Sequence, residues 1–151
     1  MRSVVVFAAV VFLIALAVSA SAGGKASFTD YYYSAKTLIG ELNALAAEVN
    51  RAGLEKGISA EKAEDFTAHL VKAREGFSSL ITSSEETNEL NESYITYIDR
   101  MLICVSTAVD YGENPSPEKR KEILEALAAA DDTKDDADSR LSSNKTKYGV
   151  K

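Results

Sequence analysis

The sequence predicts an all-α fold: an up-and-down antiparallel four-helix bundle preceded by an N-terminal signal-peptide helix. Three observations lead there. Apolar residues recur at alternating steps of three and four along most of the chain, which keeps one helical face turned toward a partner. Short polar breaks divide this pattern into four stretches, as an up-and-down bundle with short loops requires. No stretch alternates with the period of two that marks a strand. The chain has 151 residues, of which 46% are hydrophobic and 26% charged, enough for one packed domain. That composition excludes a disordered chain, a collagen-like fibre and a multi-pass membrane protein.

The first residues read as an address. Arg2 precedes an uninterrupted apolar run from Val4 to Val18, and Ser19-Ala20-Ser21-Ala22 follows. A basic start, an apolar core and a small-x-small end match a secretory signal peptide, with cleavage between Ala22 and Gly23. The competing reading is an uncleaved membrane anchor over residues 4–22, because no charge interrupts Ser3 to Gly24. The expected organisation is therefore a signal peptide at 1–22, a helical-bundle domain at 23–142 and a disordered polar tail at 143–151. Two triplets, Asn91-Glu92-Ser93 and Asn144-Lys145-Thr146, match the glycosylation acceptor pattern, making Asn91 and Asn144 candidate glycan sites.

After a flexible lead-in from Gly23 to Ser27, the first helix carries the stripe Tyr31, Ala35, Leu38, Leu42, Leu45, Val49 and Ala52. Ser27 or Thr29 can cap its start, Gly53 is placed to end it, and Gly57 falls in the following turn. The second helix starts after the N-cap Ser59, with Glu61 and Glu64 in early turns where the helix dipole favours anions. Its stripe is Ala63, Phe66, Leu70, Ala73, Phe77 and Leu80, and Gly76 within it marks a close helix crossing. Thr82 to Thr87, without a large apolar residue, reads as a loop. The third helix, about Asn88 to Tyr111, has two adjacent stripes. Tyr94, Tyr97, Met101, Cys104, Ala108 and Tyr111 form one; Ile98, Leu102, Val105 and Val109 form the other. Such a wide apolar face is expected to meet more than one neighbour, and Gly112 is placed to close the helix. The fourth begins at Ser116-Pro117, an N-cap followed by proline at the first helical position. Its face is Ile123, Leu127, Ala130, Ala137 and Leu141, interrupted by Lys134. The aspartate-rich half from Asp131 is expected to fray.

The candidate chemistry is sparse. The chain contains one histidine, His69, and one cysteine, Cys104. A haem or metal reading would pair His69 with Met101 across the bundle core. No Cys-x-x-Cys-His motif attaches haem covalently, so His69 reads as an inert, partly exposed side chain. Cys104, mid-helix between Ile103 and Val105, reads as a small core filler, since a reactive thiolate needs exposure and a lowered pKa. Asp131, Asp132, Asp135, Asp136 and Asp138 lack the spacing of a calcium loop and read as a solvated acidic face. Three consecutive tyrosines, Tyr31-Tyr32-Tyr33, cannot all face one core, so at least one should be exposed.

With 23 acidic and 17 basic residues the chain is a poor phosphate-backbone binder, and no nucleic-acid partner is expected. The functional expectation is a non-enzymatic exported module that binds a protein or cell-surface partner or acts structurally, with no cofactor. The alternative is a carrier of a small ligand or cofactor, such as haem, near His69 and Met101. Membrane contact is expected only if the N-terminal segment stays uncleaved.

Overall fold

The computed structural model describes residues 23–151 together with their side chains. Of residues 2–22 it describes the helical backbone alone, and Met1 and the side chains of 1–22 lie outside the description; the expected cleavage between Ala22 and Gly23 falls at that boundary. The chain is built of four α-helices: α1 (Arg2–Lys56), α2 (Ala60–Ser78), α3 (Glu85–Glu113) and α4 (Pro117–Tyr148). They form an all-α four-helix bundle, and no strand occurs among the described residues. The wide face of α3 has the expected consequence, since α3 meets α1, α2 and α4, whereas α2 and α4 do not touch each other among the described residues.

Two helix starts follow the sequence closely. The Ser59 hydroxyl accepts from Lys62 N–H at 3.4 Å, and the Ser116 hydroxyl accepts from Lys119 N–H at 3.2 Å, with Pro117 opening α4. Each hydroxyl satisfies an amide that has no partner inside its helix. The start of α3 differs from expectation. The helix begins at Glu85, so the loop expected to reach Thr87 ends three residues earlier. Ser84 and Thr87 form a capping box: the Ser84 hydroxyl accepts from Thr87 N–H, and the Thr87 hydroxyl accepts from Ser84 N–H. This box leaves Thr87 fully buried.

The register of α1 also differs. Its buried residues are Phe28, Tyr31, Tyr32, Ala35, Ile39, Leu42, Ala46 and Val49, while Leu38, Leu45 and Ala52 are half-buried flanks. The reason is that α1 lies against α3 and has α2 on one side and α4 on the other. Residues on the α2 side sit at the edge of the core rather than in it. Leu38 marks that edge: a Cβ placed on Gly76 would stand 2.9 Å from its Cδ2, so Gly76 is the close crossing expected of it.

The glycines expected to end α1 and α3 do other work. Gly53 lies inside α1, buried against Ala108 of α3, and α1 continues to Lys56. Gly57 stops it, at φ +78°, a left-handed conformation that glycine adopts without steric cost. Gly112 likewise lies inside α3, and the turn after α1 presses against it: Ile58 is buried and its N–H donates to Ala108 O at 3.0 Å. A Cβ on Gly57 would stand 2.5 Å from Gly112 Cα and 2.8 Å from Ala108 O. Gly57→Ala is therefore expected to cost roughly 2–3 kcal/mol or more, combining a strained φ with a backbone clash. Urea unfolding checks this, and a loss below roughly 0.5 kcal/mol, the range of neutral surface changes, would refute the clash.

Two segments expected to be flexible or frayed are helical. Gly23 to Ser27 is helical rather than a flexible lead-in. The aspartate-rich half of α4 does not fray, and the tail expected from residue 143 carries the helix on to Tyr148, capped by left-handed Gly149. Two of the aspartates are paired along the helix, Asp138 with Lys134 and Asp136 with Arg140. Arg140 also reaches Glu89 on α3 at 2.8 Å. Tyr148 is buried, stacked on Phe28 with ring centroids 5.5 Å apart. An apolar anchor on the last turn thus holds a helix that its own weak periodicity would not. Among the described residues, no helix is long and apolar enough to cross a membrane.

Candidate binding groove between α1 and α2

Because Gly76 carries no side chain and Leu38 lies over it, the α1–α2 seam is shallow there and leaves a groove. Leu38, Leu42 and Leu45 from α1 and Ala73 from α2 line its apolar part. Glu41, His69, Lys72 and Glu75 supply charge and polarity around it. The groove thus offers apolar area beside both signs of charge, features that bind and orient a partner surface.

His69 stands beside this groove with 59% of its side chain exposed. Its Nδ1 lies 2.8 Å from the Asp65 carbonyl oxygen, which can only accept, so Nδ1 carries a proton and donates. In the neutral ring that leaves Nε2 as the acceptor, and Asp65 Oδ1 lies 3.4 Å from Nδ1. Met101, by contrast, is fully buried on α3. The groove beside His69 is not lined by Met101, so the structure does not bring the two proposed cofactor residues into one site.

Cys104 is 1% exposed, and burial pushes its thiol up to about 11, with the nearby Asp131 carboxylate adding to the shift. A thiolate is thus disfavoured twice over. A thiol-specific reagent at neutral pH is expected to leave Cys104 of the folded protein unmodified and to label it upon denaturation. Equal labelling rates in both states would overturn that placement.

The two glycosylation candidates differ sharply. Asn91 is 7% exposed and lies at the centre of a buried polar link. Its Nδ2 donates to the Phe77 carbonyl at 3.1 Å, and its Oδ1 accepts from Tyr31 O–H at 3.3 Å. The nitrogen that would carry a glycan is thus engaged in a hydrogen bond inside the folded bundle. Asn144 is half-buried on α4 and lines a shallow cleft with Glu86, Glu89 and Arg140.

The tyrosine triplet divides as expected: Tyr31 and Tyr32 are buried and Tyr33 is 62% exposed. Sequence reasoning did not find how this end is closed. Lys145 lies over the Tyr32 ring and donates to its hydroxyl at 3.2 Å, and Glu86 accepts from both Lys147 and Tyr148. Hydrogen bonding from Lys147, followed by that from Tyr148, holds the Glu86 carboxyl below its ordinary range. On the α3–α4 surface, Glu89, Glu92, Asp132, Asp136 and Arg140 line a cleft, in which Arg140 pairs with Glu89 and Asp136. Arg140 lowers Asp136 by a direct hydrogen bond, with a smaller contribution from Ser93. Among the described residues, no group of three or more His, Cys, Asp or Glu is placed to hold a metal ion.

No known protein family matches the chain, and neither a curated protein nor a solved structure matches it.

Proposed function

We propose that this protein is a non-enzymatic, exported helical-bundle module that binds a partner outside the cytoplasm through the α1–α2 groove. The observation that carries the reading is the groove itself, where half-buried leucines lie beside Glu41, His69, Lys72 and Glu75. Export is supported by the sequence of the first 22 residues, with their basic start, apolar run and Ala20-Ser21-Ala22 end. In this reading the helices run up and down in antiparallel order. Supporting pairs descend along one helix as they ascend the other: Glu86 with Lys147, Glu89 with Arg140 and Ser93 with Asp136 between α3 and α4. The runner-up keeps residues 4–22 as a membrane anchor, which places the bundle on the same outer side, because Arg2 favours the cytoplasm.

Extracellular material from the native host, passed over the immobilised protein, tests the binding reading. Capture is expected to fall at least tenfold with Leu45→Glu in the groove and to be unchanged with Ile103→Glu, an exposed apolar position on α3. Circular dichroism of both variants must match the parent. Equal capture by all three proteins would sink the groove as the binding face.

A further inference from the structure

The stretch of α1 around Gly23 and the first turn of α3 share a cleft, lined by Gly23, Gly24 and Ser27 from α1 and by Ser84, Glu85 and Glu86 at the start of α3. Lys147 and Tyr148 of α4 close it. The fit at the α1 side is close, since a Cβ on Gly24 would stand 3.0 Å from the Tyr148 hydroxyl. Within this lining the charges do not balance: Glu85 and Glu86 bring two carboxylates, and Lys147, bound to Glu86, brings one ammonium. The buried Ser27 hydroxyl oxygen, also in the lining, has no hydrogen-bond partner.

Cleavage between Ala22 and Gly23 would change this cleft in one specific way. It converts the amide nitrogen of Gly23 into a primary ammonium at a position that already lines the cleft. We infer that the α-amino group released at Gly23 seats against the Glu85 and Glu86 carboxylates, so that processing supplies the second cation of this cleft. This rests on the proposed cleavage. A free ammonium at a helix start is disfavoured by the helix dipole, which places positive partial charge there. The two α3 carboxylates that line the same cleft reverse that preference. Lys25 on α1 and Lys147 on α4 are the cations that oppose it, and Tyr148 is the other titratable group facing the cleft.

The test uses the mature protein recovered from its native host. N-terminal sequencing comes first and should begin at Gly23. The rate of amine acylation against pH then reports the titration of that group. Its midpoint is expected at least half a unit above the ordinary α-amino value of about 7.7–8.0 and is expected to fall in Glu85→Gln, which leaves the Glu86–Lys147 pair intact. Selective acetylation of Gly23 should lower the melting temperature of the parent more than that of Glu85→Gln. Sequencing that starts elsewhere overturns both the cleavage and the inference. A Gly23 amine that titrates at its ordinary value or lower, with acetylation leaving the melting temperature unchanged, overturns the inference alone.

Discussion

Raising the pH through 9 toward 12 is expected to unfold the protein cooperatively. Burial raises the phenols of Tyr31, Tyr94 and Tyr97 above the ordinary tyrosine range, with the Asp138 carboxylate adding to Tyr94 and that of Asp131 to Tyr97. Cys104 is raised to about 11. In the unfolded chain these groups lose their protons near ordinary values, about 8.5 for cysteine and about 10 for tyrosine. Between the unfolded and folded values the unfolded state therefore binds fewer protons, so stability falls as pH rises. Below about pH 8.5 all four are protonated in both states and their contribution is intact. The loss begins with Cys104, whose contribution ends near pH 11, and steepens above pH 10, where each tyrosine removes up to about 1.4 kcal/mol per pH unit and the three together roughly 4 kcal/mol. A domain of ordinary stability, about 5–15 kcal/mol, is exhausted within a few units. Far-ultraviolet circular dichroism and tyrosinate absorbance, followed together, should change in one transition. Full ionisation of all seven tyrosines with the helical signal intact would refute it.

Phe77→Ala is expected to be the most damaging single truncation in the core. Phe77 is fully buried, and its ring stacks on Tyr94 at 5.2 Å between centroids. Removing a buried phenylalanine costs about 3–5 kcal/mol, and the lost aromatic pair places this site toward the upper end. The gap has little room to close, because Gly76 beside it already brings α2 against Leu38 of α1. The Phe77 carbonyl also receives Asn91 Nδ2, so movement of the α2 end would disturb the buried link to Tyr31. A fall in melting temperature of more than about 10 °C is expected. Val71→Ala, at a site 41% exposed on the same helix, should change it little. Equal effects at the two sites would contradict the placement of Phe77.

The helix count and the core of α2 and α3 were legible because local signals and tertiary contacts agree there. Ser59 and Ser116-Pro117 act as caps, and Phe66, Leu70, Phe77, Tyr94, Tyr97, Met101 and Cys104 are all buried as their spacing requires. Legibility failed where an element is held by something distant in sequence. The face of α1 is set by three neighbours at once, so Tyr31, Ala35, Leu42 and Val49 are buried as spaced while Ile39 and Ala46 are buried in place of Leu38 and Leu45. The aspartates of α4 look too polar to hold a helix until Arg140, Glu89 and Tyr148 are seen in place. The cap at Ser84 was missed because threonine at the third position resembles a loop residue more than the usual Glu or Gln does. Of the candidate site, Gly76 signalled a close crossing. The groove beside it was not legible, since it depends on which edges of α1 and α2 remain uncovered.

The meeting of Phe28 and Tyr32 with the last turn of α4 also sets an order in time. Lys145 and Tyr32 are 113 residues apart in the chain, and Tyr148 is farther still from Phe28. During synthesis Tyr32 is made 113 residues before Lys145, which covers its ring. Local helix formation can proceed before then, whereas this end of the bundle cannot close until the last turn of α4 has been made. Joining ends so distant carries a loop-closure cost that grows only slowly with length. The folded bundle can therefore hold these two distant segments together, while the nascent chain exposes Phe28 and Tyr32 until the last turn of α4 has been made.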